Sequence, residues 1–132
     1  MKIFICTDKS GGLHFGGRRL SQDSVLRKKM LELGGGCLHL NGYSAKQFES
    51  ADGLVVNDNF LSTAKEGDCC FVENVAVPAN AEEYYIFNWN RDYPADTYFE
   101  LDLKALGYKK VKTESFAGSS HKKITLEIYS KV

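Results

Sequence analysis

The sequence predicts an α/β fold in which a mostly parallel sheet is closed by a C-terminal antiparallel hairpin. Three observations carry that reading. Short apolar runs alternate with helical stretches along the first half of the chain, the pattern of strand–helix–strand units. Near the C-terminus the pattern switches to apolar residues at every second position. The chain has 132 residues, 43% hydrophobic and 26% charged, which suits one globular domain over residues 1–132 and excludes bulk disorder.

The elements follow in order. Met1-Lys2-Ile3-Phe4-Ile5-Cys6 is a short apolar run, as a central strand is. The glycine-laden stretch Gly11-Gly12-Leu13-His14-Phe15-Gly16-Gly17-Arg18-Arg19 reads as a surface loop. A helix comes next, with Ser21 as its expected N-cap, Asp23 in its first turn and Val25, Leu26, Met30 and Leu33 on one face. Gly34-Gly35-Gly36 stops it. Cys37-Leu38-His39-Leu40 reads as a second strand, and Ser44 as the cap of a short helix through Phe48. Leu54-Val55-Val56, Cys69-Cys70-Phe71-Val72 and the run from Tyr84 to Trp89 are three further buried strands. Tyr108 to Phe116, a turn at Ala117-Gly118-Ser119-Ser120 and the alternating Ile124, Leu126 and Ile128 make the closing hairpin. A helix capped by Ser120 competes for that last stretch.

Charge and cysteine usage narrow the function classes. Seventeen basic side chains balance seventeen acidic ones, whereas a protein that neutralises phosphates along a nucleic acid carries a basic excess, so no nucleic-acid partner is expected. No run approaches the ~18 apolar residues of a membrane span, and the N-terminus is too short for a signal-peptide core. Cys6, Cys37, Cys69 and Cys70 form no C-x-x-C pair, which fits a reduced, cytoplasmic protein with small buried thiols. His14, His39 and His121 are scattered singly, so no metal site is expected.

The glycine-rich stretch is the most informative segment for chemistry. Gly12 and Gly17-Arg18-Arg19 have the outline of a Walker A loop without its Lys-Ser/Thr ending, and no G-x-G-x-x-G is present. Position favours a ligand nonetheless, because open α/β sheets bind ligands beyond the carboxyl ends of their strands. Asp23 has two readings, as a carboxylate that the helix dipole favours or as a proton-handling group facing a cleft.

Asp8 followed by Gly11-Gly12, then Leu20 and Asp23 opening a helix, then Asn41-Gly42-Tyr43-Ser44 at a helix start and Asp96-Thr97-Tyr98-Phe99 before a final hairpin, resembles dihydrofolate reductase in element order over nearly the whole chain. The resemblance implies that Asp23 is the substrate-gripping acid, the catalytic residue; that Thr97 stands near it; and that Ser44 belongs to a cofactor-phosphate turn. Three features depart from that family. The tryptophan the family carries before its catalytic helix is absent here, with Arg18 and Arg19 in its neighbourhood. The family's Ile-Gly-Gly-Gly loop is replaced by Phe71-Val72-Glu73-Asn74-Val75, which sets a carboxylate where a pyrophosphate would lie. The helix after it is missing, with Pro78 soon following, so NADPH in the usual mode is not expected. Segments such as Gly17-Arg18-Arg19, Tyr43-Ser44-Ala45-Lys46-Gln47-Phe48 and Phe116-Ala117-Gly118-Ser119-Ser120-His121 also resemble short bacterial proteins that automatic labels call ribonuclease Z, whose two-metal His-x-His-x-Asp-His cluster is not in this sequence.

The resulting expectation is a protein that binds a planar or phosphorylated small molecule. Arg18 and Arg19 would meet an anionic group, and Ser44 and Thr97 would line the same pocket as the catalytic Asp23. Reduction is open to it if a dinucleotide binds. Two alternatives stand beside it. One is a non-enzymatic interaction protein using Arg18, Arg19 and Trp89 on a partner surface. The other is a metal-independent nuclease built on His121, His14 and a lysine.

Overall fold

The computed structural model describes residues 1–49 and 51–132. Its central strand is β1 (Lys2–Thr7), where Ile3, Phe4 and Ile5 are fully buried, so both faces of the strand are covered. That double burial explains why the run is apolar throughout instead of alternating. The glycine-laden stretch after it is a hairpin, not a loop: β2 (Gly12–Phe15) pairs with β3 (Arg18–Arg19), His14 opposite Arg19 and Phe15 opposite Arg18. Gly16 and Gly17 both have positive φ, as a tight two-residue turn matched to strand twist requires.

The first helix, α1 (Ser24–Leu33), begins at Asp23 and not at the expected Ser21. Asp23 is the N-cap because its carboxylate reaches the amides of Val25 and Leu26. Leu26 and Met30 bury the inner face, each adding roughly 1.5–3 kcal/mol, whereas Val25 is exposed. Beyond Gly34–Gly36 come β4 (Leu38–Leu40) and α2 (Gly42–Ala45), continued by a 3-10 turn (Lys46–Phe48). Here too the cap differs. Asn41 accepts the amide of Ser44, and Ser44 lies inside the turn with its hydroxyl fully buried. Then follow β5 (Leu54–Val56), α3 (Phe60–Thr63), β6 (Cys69–Phe71), β7 (Glu83–Asn88), β8 (Thr97–Tyr98), β9 (Tyr108–Phe116) and β10 (Ile124–Lys131).

Among the described residues seven strands form the main sheet in the order β5-β4-β6-β1-β7-β10-β9, and of these only β10 runs against the others. This is the mostly parallel sheet with a C-terminal antiparallel hairpin. The last stretch pairs over its length with β7 and β9, so the helical alternative for it falls. The edge position of β5 leaves Val55 and Val56 exposed, contrary to the expectation of a buried strand. A small sheet of order β3-β2-β8 lies beside the main one. One core layer packs Leu26 and Met30 of α1 against Phe4, Leu38, Phe71 and Phe87; the other packs Phe60 of α3 with Ile3, Ile5 and Tyr84. The loops after β1, β4, β6 and β7 therefore emerge at one end of the sheet, together with the start of α1 and the turn between β9 and β10.

Among the described residues no helix is long and apolar enough to cross a membrane. The four thiols are free, but Cys37 is exposed, not buried like Cys69 and Cys70, because it precedes β4 and lies outside the sheet.

Candidate functional site

At that end of the sheet Asp23 is enclosed by the turn at residues 117–121. Its Oδ1 accepts the amides of Val25 (2.9 Å), Leu26 (3.2 Å) and Ser119 (3.0 Å). Its Oδ2 accepts the Ser120 amide (2.9 Å) and hydroxyl (3.2 Å) and stands 3.0 Å from Nδ1 of His121. The approach is so close that residue 118 has to be glycine, since a Cβ there would meet the Asp23 carboxyl carbon at 2.9 Å. Asp23 is only 2% exposed. Burial pushes its carboxyl up, but the amides of Ser120 and Ser119, the His121 hydrogen bond and the Leu26 amide together outweigh it and hold the group well below the usual carboxylate range. Asp23 is therefore a carboxylate, and the His121 nitrogen facing it carries a proton.

The other face of His121 is equally organised. Its Nε2 lies 3.0 Å from the hydroxyl of Ser21 and 3.0 Å from the hydroxyl of Tyr93, and Trp89 stacks on the ring at 4.5 Å with planes 27° apart. Trp89 is thus buried and not available to a partner surface as the interaction reading required. His14 stands apart, 3.9 Å from Asp96 and in a different groove, so the two histidines of the nuclease reading do not share a site.

Arg19 crosses from β3 to the loop after β6. Its guanidinium makes a two-pronged contact with Glu73 (3.0 and 3.2 Å), donates to the carbonyl of Tyr43 (3.2 Å) and lies 4.4 Å over the Tyr43 ring. Gln47 donates to the same Glu73 carboxylate at 3.0 Å. The Glu73 charge, which the sequence set against an approaching phosphate, is neutralised within this contact.

Beside Asp23 opens a polar cleft of about 570 Å³, lined among others by Arg19, Gln22, Ser24, Arg27, Lys46 and Ser119. Behind it, a hollow bounded by Cys6, Ser21, Met30, Phe71, Glu73 and Trp89 has only about 10 Å³ of free volume, room for one water and not for a ring. Arg19 and Asp23 therefore share the cleft. Arg18 is exposed on the β2–β3 hairpin, Ser44 is sealed inside α2, and Thr97 lines a separate groove of about 330 Å³ with Leu13, His14 and Phe99. Arg27, Lys46, Ser21 and Tyr93 belong to this region and were not singled out from the sequence as site residues. His121 was legible only as a lone loop histidine after two serines, since nothing in the spacing ties it to a carboxylate 98 positions earlier.

Among the described residues no group of three or more His, Cys, Asp or Glu side chains is placed to hold a metal ion. No protein-family model and no curated protein matches the sequence. The chain is similar in structure to dihydrofolate reductase from Enterococcus faecalis, solved in complex with NADP(H) and RAB-propyl, at a TM-score of 0.66 and 16% identity over 98% of this chain and 94% of that chain. At that identity the likeness establishes the architecture: the fold is that of dihydrofolate reductase, with a mostly parallel sheet and an antiparallel closing hairpin.

Proposed function

We propose that the protein binds a small anionic molecule, bearing phosphate or carboxylate, in the cleft at the start of α1. One observation carries this. Arg27 and Lys46 both line the cleft, and among the described residues neither takes part in an ion pair. Among the described residues the Arg27 guanidinium donates only to the neutral amide oxygen of Gln22, at 3.1 Å. Arg27 and Lys46 line the cleft together with the Ser24 and Ser119 hydroxyls and one further carboxylate, Glu49, so the unpaired cations outnumber it and can receive an anion. The first amides of α1 contribute little directly, because Ser119 takes that of Ser24 and Asp23 those of Val25 and Leu26. Recognition is therefore by side chains, with the helix dipole as background.

Two further points support the reading. The cleft lies beyond the carboxyl ends of the parallel strands, where open α/β sheets take their ligands. The enterococcal reductase of the same fold holds small ligands. Four free cysteines fit a reducing, cytoplasmic setting. The test is thermal-shift and calorimetric titration of the full chain with phosphate monoesters, nucleotides, dicarboxylates, NADPH and folates. A ligand at about 100 times its Kd is expected to add roughly 2.7 kcal/mol of stability. Lys46→Ala and Arg27→Ala should each weaken binding about tenfold or more. No response to any member of the set, or binding indifferent to both substitutions, overturns the reading.

A further inference from the structure

We infer that Ser21 is a nucleophile activated by His121 and positioned by Asp23, and that the protein hydrolyses carboxylic esters through an acyl-serine. The proposal stands on its own geometry and does not depend on the anion cleft. Hydroxyl, imidazole and carboxylate are aligned in series, with Ser21 Oγ 3.0 Å from Nε2 and Nδ1 3.0 Å from Asp23 Oδ2. The base is held by a carboxylate on one nitrogen and faces a hydroxyl with the other, which is the arrangement that activates serine.

A histidine that merely fastened a loop would not account for Ser21. Asp23 caps α1, so Ser21 is not needed there, and among the described residues its hydroxyl bonds only to His121. Ser21 is partly exposed, whereas the rest of the series is sealed. Because Asp23 is saturated with donors, the His121 proton is fixed on Nδ1, leaving the single lone pair of Nε2 to take a proton from Oγ. Trp89 holds the ring plane by stacking. Tyr93 Oη also stands 3.0 Å from Nε2, so in the resting protein its hydroxyl shares that lone pair with Ser21, and it is freed as a donor to an oxyanion once Nε2 carries the proton.

The steps balance without any other reagent than water. Oγ attacks the ester carbonyl carbon and forms the O–C bond while its proton passes to Nε2. The C–O bond to the leaving alcohol breaks, and the alkoxide takes that proton. Water then attacks the acyl-serine, gives its proton to Nε2, and the acid departs as Oγ is reprotonated.

The experiment is to treat the full-length protein with a fluorophosphonate probe, map the adduct by mass spectrometry and follow p-nitrophenyl acetate hydrolysis. One adduct is expected, on Ser21, with a burst of p-nitrophenol equal to the labelled fraction. Ser21→Ala should abolish both, and His121→Gln should slow labelling about a hundredfold or more while the far-ultraviolet spectrum stays native. Since His121→Gln can perturb folding, heat-denatured wild-type protein is the second control, expected to label no faster than Ser21→Ala. No adduct on native Ser21, an adduct that forms equally well in the denatured chain, or one that a folded His121→Gln protein makes at the wild-type rate would overturn the inference.

Discussion

Among the described residues three histidines stand within 4.0 Å of a carboxylate, and two of these pairs, at the tight and loose extremes, behave as different objects. His121 and Asp23 meet at 3.0 Å with both side chains almost completely buried, and each remaining acceptor site of the carboxylate is filled by an amide or hydroxyl. His14 and Asp96 stand 3.9 Å apart, the aspartate side chain is 51% exposed, and His14 Nδ1 has no hydrogen-bond partner among the described residues. The residue types are identical. What separates the pairs is that the turn at residues 117–121 folds over the start of α1 and excludes water from one of them, so that its hydrogen bonds form in a low-dielectric setting.

That contrast can be broken at several points, in decreasing order of effect. Asp23→Ala removes an N-cap and leaves the Ser119 and Ser120 amides and His121 unpaired, so it should cost about 3–5 kcal/mol and lower Tm by roughly 10 °C or more in thermal denaturation. Acid separates the wild type from Asp23→Asn. The Asp23 carboxyl titrates below its ordinary value in the folded protein, so its contribution is complete above about pH 4, the unfolded-state value, and is lost as pH falls below that. The stability gap between the two proteins should be present at neutral pH and narrow as pH falls below about 4 in urea titrations. Gly118→Ala forces a methyl group against the Asp23 carboxyl and the Ile124 side chain, and should cost about 1–3 kcal/mol by the same measurement. His14→Ala, at the loose pair, should move Tm by no more than roughly 3 °C. A His14→Ala effect as large as that of Asp23→Ala would remove the distinction.

The fold was legible because its signals are local and repeated: continuous apolar runs for the buried strands, strict alternation for β10, a glycine stop after α1. The Gly16-Gly17 turn was not legible: the stretch reads as a surface loop, because its flanking strands of four and two residues are too short to show alternation. The site was less legible than the fold. Asp23 and Arg19 do meet at one cleft, yet Ser44 and Thr97 do not join them, because Ser44 is enclosed by its own turn and Thr97 pairs with β2 on the far side of the hairpin. The partners that define Asp23 come from the β9–β10 turn almost a hundred residues later, and no periodicity encodes such a contact. Trp89 shows the converse, since a tryptophan at a strand end looks like a recognition surface until a histidine stacks on it.

The most direct test of where the ligand goes is a two-dimensional amide NMR titration of the full chain with inorganic pyrophosphate. Binding in the cleft requires the largest shifts at Ser24, Arg27, Lys46 and Ser119. Shifts centred instead on Leu13, His14, Thr97 and Phe99, or no saturable shift at all, would contradict it.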